Sequence, residues 1–179
     1  MGLWVAFLRG INLGRRQMRM AELRTGLEAA GFGAVKTILA SGNVRFEADG
    51  TAAAIRERLE TSISGQFGYK VEAIMRSGAE LERLLAHHPF GRLDPAADLA
   101  RHVLLFADEL PPDLKLADRP GDIEILRIDA RELYLAAYRK PNGRYTEGVE
   151  EVLKPLYARL GKGHLDTMRN WNTMEKLLK

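Results

Sequence analysis

The sequence predicts an α+β protein built from two ferredoxin-like halves, with antiparallel-rich sheets covered by helices and a C-terminal helix. Three observations predict it. Apolar patterning over residues 1–77 runs strand, helix, strand, strand, helix, strand, the order of a βαββαβ unit. A similar order returns after residue 100. Between the two, residues 89–100 hold two prolines, a glycine and three alanines, the composition of a linker or surface loop. The division expected is an N-terminal half (1–77), a helix and connecting loop (78–100), and a C-terminal α+β half (101–179) with the final helix. The halves share no obvious identity, so a duplication rests on element order alone.

The elements follow from local chemistry. Leu3–Leu8 is a short apolar run and reads as a buried strand. Arg9–Arg19 reads as loop. Met20, Leu23, Leu27 and Ala30 recur at helical spacing, and Gly31 suits a left-handed cap. Val35–Ala40 and Val44–Glu47 read as strands joined through Ser41-Gly42-Asn43, where Gly-Asn suits a two-residue hairpin turn. Thr51 can cap a helix with the stripe Ile55, Leu59, Ile63 and Phe67. Tyr69–Met75 is a strand. Ser77 and Glu80 form a capping box before Leu81, Leu84 and Leu85, and Pro89 ends that helix.

In the second half, His102–Ala107 reads as a strand and Pro111–Ala117 as a short helix, its prolines placed where a first turn tolerates them. Ile123–Ile128 and Leu133–Tyr138 read as strands. Val149, Val152, Leu153, Leu156, Tyr157 and Leu160 mark an amphipathic helix that Gly161 caps. A last helix, opening at Thr167–Trp171, carries Trp171, Met174, Leu177 and Leu178. No final strand is evident.

Composition narrows the chemistry. The 179 residues are 46% hydrophobic and 28% charged, enough for an ordinary buried core. There is no cysteine, which excludes disulfides, thiolate nucleophiles, iron–sulfur clusters and cysteine-ligated zinc, and fits a cytoplasmic location. Leu3–Leu8 is far shorter than the ~20 residues that span a bilayer, so no membrane partner is expected. The net charge of +3 is mild, but its distribution is uneven. Arg9, Arg15, Arg16, Arg19 and Arg24 share their stretch with Glu22 alone, and Arg139, Lys140 and Arg144 form a second cluster without acids.

Gly10-Ile11-Asn12-Leu13-Gly14 lies between a strand and a helix. Glycines there let backbone N–H groups turn inward as an anion cradle, with Arg9, Arg15 and Arg16 supplying charge. An ordinary turn needing positive φ is the alternative. The spacing is neither that of a P-loop nor that of a dinucleotide fingerprint. Ser41-Gly42-Asn43 reads first as a hairpin turn, and Trp171 as core. Arg169, placed in the first turn of a helix, would oppose the macrodipole and so calls for a carboxylate or anion. His87, His88, His102 and His164 have no telling metal spacing, so no metal is expected. Asp122 and Glu124 could share a strand face as paired carboxylates. No catalytic triad stands out, and the sequence points to no cofactor.

These motifs together resemble a bacterial family catalogued as domain of unknown function 1697. The likeness rests on Arg-Gly-Ile-Asn, Met-x-x-Leu-Arg, Ser-Gly-Asn-Val-x-Phe and Thr-x-Arg-Asn-Trp-Asn-Thr, in order, from Val5 to Leu178. The resemblance implies paired ferredoxin-like halves and no established activity. It places the family's recurring polar positions on Arg9, Gly10, Asn12, Gly14, Ser41, Gly42, Asn43, Arg169, Asn170 and Trp171. Arg15-Arg16-Gln17 stands where a second glycine and lysine-asparagine would be usual. Leu39-Ala40 replaces a bulkier, more polar pair.

The resulting expectation is a module that binds an anionic ligand, either a phosphate-bearing small molecule such as a nucleotide or a nucleic-acid backbone. The ligand-binding residues expected are Arg9, Gly10, Asn12, Gly14, Arg15, Arg16, Ser41, Asn43, Arg169 and Asn170, converging on one polar site. An enzyme acting on a phosphorylated small molecule (hydrolase or transferase) and a protein–protein interaction module are the alternatives.

Overall fold

The computed structural model describes residues 1–38 and 41–179. Contacts divide the chain into two compact units, Met1–Ala86 with Glu175–Lys179, and His87–Met174. The first unit contains β1 (Gly2–Arg9), α1 (Met20–Ala29), β2 (Gly33–Ile38), β3 (Asn43–Ala48), α2 (Ala52–Phe67), β4 (Glu72–Ser77) and α3 (Gly78–Ala86). Its sheet has the order β2-β3-β1-β4 and is antiparallel throughout.

Residue period decides what each face buries. Ala6 and Leu8 of β1 face the same core as Val44 and Phe46 of β3, and Leu23, Leu27, Ile55, Leu59 and Ile63 of α1 and α2 close over them. Phe32 meets Phe46 edge-on at 5.0 Å. Burying each of the valine, leucine and isoleucine side chains among these is worth roughly 1.5–3 kcal/mol. Val5, Phe7 and Ile74 point to the other face and are also buried, as is Arg76, whose Nη1 donates to the Met75 carbonyl at 2.8 Å.

The expected caps are present. After α1, Gly31 (φ 85°) donates to Glu28 O and Phe32 donates to Leu27 O, both at 3.1 Å, which is a Schellman motif. Thr51 accepts from Ala54 N at 3.3 Å. Ser77 N donates to Glu80 Oε2 at 2.7 Å while Glu80 N donates to Ser77 Oγ at 3.3 Å, closing the capping box. The hairpin differs from expectation. Ile38 pairs with Asn43, so Asn43 opens β3 and the connection has four residues. The strand expected over 35–40 is observed to Ile38; residues 39 and 40 lie outside the described residues.

The second unit contains β5 (Leu99–Phe106), β6 (Ile123–Ile128), β7 (Glu132–Tyr138), α4 (Val149–Leu160), β8 (Asp166–Asn170) and α5 (Trp171–Met174). Its sheet order, β6-β7-β5-β8, repeats that of the first. Two expectations fail here. Pro111–Ala117 forms one turn, closed by Leu114 N to Pro111 O at 3.0 Å, and no helix. Pro112 disfavours the helical region for Pro111. Leu114 and Leu116 then reach the core at the two-residue spacing of extended chain. Asp118 Oδ1 accepts from Ile125 N at 2.7 Å, which holds that chain along β6. The second failure is β8, a closing strand where helix was expected. Met168 is its one apolar residue, so its period was nearly invisible.

Asp122 anchors this unit. Its Oδ2 lies 2.9 Å from Lys140 Nζ and 3.3 Å from Arg119 Nε. Neither carboxylate oxygen has hydrogen-bond geometry with those donors, so the attraction is chiefly one of charge. A Cβ on Gly148, the N-cap of α4, would come within 2.3 Å of that oxygen, so the carboxylate sits against the positive end of the helix dipole.

Two alanine substitutions around α4 are expected to act in opposite directions. Gly148→Ala displaces Asp122 and should cost about 1–3 kcal/mol. Pro155→Ala, at an exposed interior position of the same helix, restores a backbone donor and should stabilise by about 1–3 kcal/mol. Urea melts of both variants check the pair, and equal signs would refute the account.

Candidate functional site

The loop leaving β1 is built from left-handed turns. Gly10 (φ 72°), Asn12 (φ 52°) and Gly14 (φ 59°) alternate with residues of ordinary φ. Asparagine is among the few side chains that tolerate this region. Asn12 then closes the loop, its Oδ1 accepting from Met18 N at 2.7 Å while Met18 is buried. Arg16 N donates to Leu13 O at 3.0 Å, with Gly14 supplying the positive φ that a type II′ turn needs at its second position. The amide groups of Ile11, Leu13, Gly14 and Arg15 donate to no protein acceptor among the described residues. Successive amides in backbone of alternating hand are the element from which anion-binding concavities are built.

The loop arginines differ in commitment. Arg16 folds back over the Tyr69 ring at 4.9 Å, and its Nη1 donates to Gly10 O at 3.4 Å. Arg19 is 3.9 Å from Glu22. Arg9 and Arg15 have no hydrogen bond, ion pair or ring contact among the described residues. Arg9 is half-buried and ends β1 opposite Glu72, whereas Arg15 is exposed.

The hairpin at 41–43 packs on this loop. Leu8 N donates to Gly42 O at 2.8 Å, and a Cβ on Gly42 would lie 2.4 Å from Ile11 Cδ1. Gly42 is therefore required by a close approach as well as by its φ of 80°. Asn43 is fully buried, and its amide donates to Ile38 O at 2.9 Å and Ser41 Oγ at 2.8 Å. Its side chain thus fastens the hairpin, while Ser41 is exposed. Ile11 and Tyr69 were missed as parts of this site; Ile11 lies inside the quoted motif, and nothing local marks Tyr69.

Arg169 and Asn170 lie in the other unit. Arg169 sits in β8, paired with Val103, and not in a helix, so the macrodipole argument for it does not apply. It is buried, and its Nη1 donates to Thr167 Oγ1 at 2.5 Å and Met168 O at 3.0 Å. Burial pushes its guanidinium down to about 10, so it stays charged at neutral pH. Asn170 Oδ1 accepts from Asn172 N at 2.9 Å, an Asx turn leading into α5. Trp171 is core, 5.1 Å from Phe90 and 6.0 Å from Tyr134.

The second basic cluster is not free of acids. Arg139 meets Asp98 at 3.2 Å, Lys140 meets Asp122 at 2.9 Å and Arg144 meets Glu147 at 3.1 Å. Asp98 and Asp122 are remote in sequence, so the stretch itself could not reveal them. Tyr145 and then Arg139 hold the Asp98 carboxyl below its usual range. Asp122 and Glu124 take separate partners: Glu124 accepts from Tyr138 at 3.0 Å and pairs with Arg92 at 3.2 Å. No group of three or more potential metal ligands occurs among the described residues.

His102 is a buried imidazole whose titration is coupled to folding. Burial lowers its imidazole below 6.5, opposed by a backbone hydrogen bond with Arg169. The unfolded chain then binds the proton more readily than the folded one, so stability should fall as pH drops below about 6.5. Chemical melts between pH 7 and 5 should show this slope, and His102→Gln should flatten it. An unchanged slope in the variant would refute the assignment.

Comparison with solved structures finds the conserved bacterial protein SP0830 from Streptococcus pneumoniae similar in fold. The TM-score is 0.71 at 22% identity, covering 99% of this chain and 96% of that one. Comparison with curated proteins yields no match. The family model described as Protein of unknown function (DUF1697) matches residues 1–134, most of the chain, which therefore belongs to that family.

Proposed function

We propose that the loop from Arg9 to Arg16 binds the phosphate group of a small anionic ligand. The observation that carries this reading is the coincidence of four unengaged backbone amides in a loop of alternating hand with two unpaired guanidiniums, Arg9 and Arg15. A tetrahedral oxyanion offers acceptors to amides and guanidiniums at once. Asn12 and Gly42 support the reading indirectly, since both hold the loop in shape.

A small ligand is favoured over a nucleic-acid strand. Proteins that stack bases on a sheet need an open face carrying aromatics. The faces turned from α1, α2 and α4 are buried at Val5, Phe7 and Ile74 in one sheet and at Val103, Leu105 and Tyr134 in the other. What remains is a short loop with two arginines unpaired among the described residues, charge enough to neutralise one phosphate.

Charge-assisted hydrogen bonds contribute about 1.5–3 kcal/mol each. Arg9→Ala and Arg15→Ala should therefore each weaken phosphate binding about 10–100-fold in calorimetry. Arg15→Ala should leave the melting temperature of the ligand-free protein unchanged, because its side chain holds nothing. Undiminished binding in the double variant would overturn the proposal, as would wild-type protein that binds neither inorganic phosphate nor a phosphate monoester.

A further inference from the structure

We infer that the ligand of this loop is a soluble phosphate monoester whose organic part is apolar or aromatic, recognised by Leu13. The inference rests on the phosphate reading above and adds to it. Leu13 and Met1 are the large hydrophobic side chains that stand exposed among the described residues, and Leu13 is 62% exposed. Single exposed leucines are common and need no explanation. This one differs in where it stands and how it is held. It lies at the centre of the loop, between Asn12 and Gly14, beside the unengaged amides and Arg15.

Leu13 is also not a loose tip. Its carbonyl accepts from Arg16 N at 3.0 Å, and the Asn12–Met18 bond closes the loop around it. The backbone therefore presents the side chain in a set position. No Cβ neighbours it at Gly14, which leaves room for a flat group to approach. A ligand with its phosphate on the amides and arginines would bring the ester substituent within one residue's reach of Leu13. An apolar or aromatic substituent gains by covering it, and a bare phosphate does not.

Calorimetry with methyl phosphate and phenyl phosphate, on the whole protein and on Leu13→Ser, tests this. Phenyl phosphate is expected to bind about tenfold tighter than methyl phosphate, a margin of about 1.4 kcal/mol, which covering most of one leucine can supply. Leu13→Ser should erase that margin, so that the two esters bind alike. Equal binding of the two esters would overturn the inference while leaving the phosphate site standing. So would a Leu13→Ser variant that weakens both esters alike, since that marks a role in loop shape. Recruitment to phosphatidic acid vesicles through Leu13, without any gain for soluble phenyl phosphate, would overturn the claim of a soluble ligand. If neither ester binds wild-type protein, the phosphate reading itself fails.

Discussion

The structure depends first on a central strand that is buried on both faces. Val5, Ala6, Phe7 and Leu8 of β1 are each at most 2% exposed, with β3 on one side and β4 on the other. Such a strand has no place for a charge along its length, because an unpaired guanidinium loses its hydration there. The chain can present Arg9 only where burial ends. It must also leave the sheet sharply at that point, with β3 and the 41–43 hairpin already against it. Gly10, Asn12 and Gly14 accomplish the exit because each accepts a left-handed backbone. The exposed amides are a by-product of that geometry, since a left-handed exit cannot pair them within a helix or sheet.

The second unit meets the same constraint with different means. Val103–Phe106 of β5 are buried on both faces of a sheet of the same order. The first crossover helix is replaced by a turn at 111–114 and extended chain to 119, which offers Leu114 and Leu116 in its place. One helix, α4, must then cover that face. Asp122, held between Lys140 and Arg119, fixes where it starts. The unit therefore relies on electrostatics at a point where the first unit relies on packing of α1 and α2. Buried charges of this kind are sensitive to the loss of either partner.

Besides the arginines held in ion pairs, such as Arg139 on Asp98, three further kinds occur in this chain, and neighbours distinguish them better than sequence position does. Arg16 and Arg58 lie over aromatic rings, at 4.9 Å on Tyr69 and 4.4 Å on Phe32, where the flat guanidinium adds contact as well as charge. Arg76 and Arg169 are buried and donate to carbonyls of their own strands. Arg9 and Arg15 make no such contact among the described residues, and for that reason they carry the proposed site.

The sequence by itself determined the element order of the first unit, the helical stripes and most caps, because each depends on residues within about one turn of one another. Leu23 and Leu27, Ile55 through Ile63, Gly31 with Phe32, and Ser77 with Glu80 all belong to this class. It also marked the β1 loop, since glycine and asparagine at alternate positions are a local signal for left-handed backbone. The tertiary structure alone decided what depends on pairing. Strand β8 exists because β5 has a free edge for it, although Asp166–Asn170 carries almost no apolar period. That pairing turned Arg169 from a helix-end cation into a buried strand residue. The acids facing Arg139 and Lys140 arrive from 41 and 18 positions away, by subtraction of residue numbers, and only folding brings them within ion-pair distance. The same is true of Tyr69 beneath Arg16. Local propensity has a range of a few residues, whereas charge neutralisation and strand pairing act between whichever segments the fold makes adjacent.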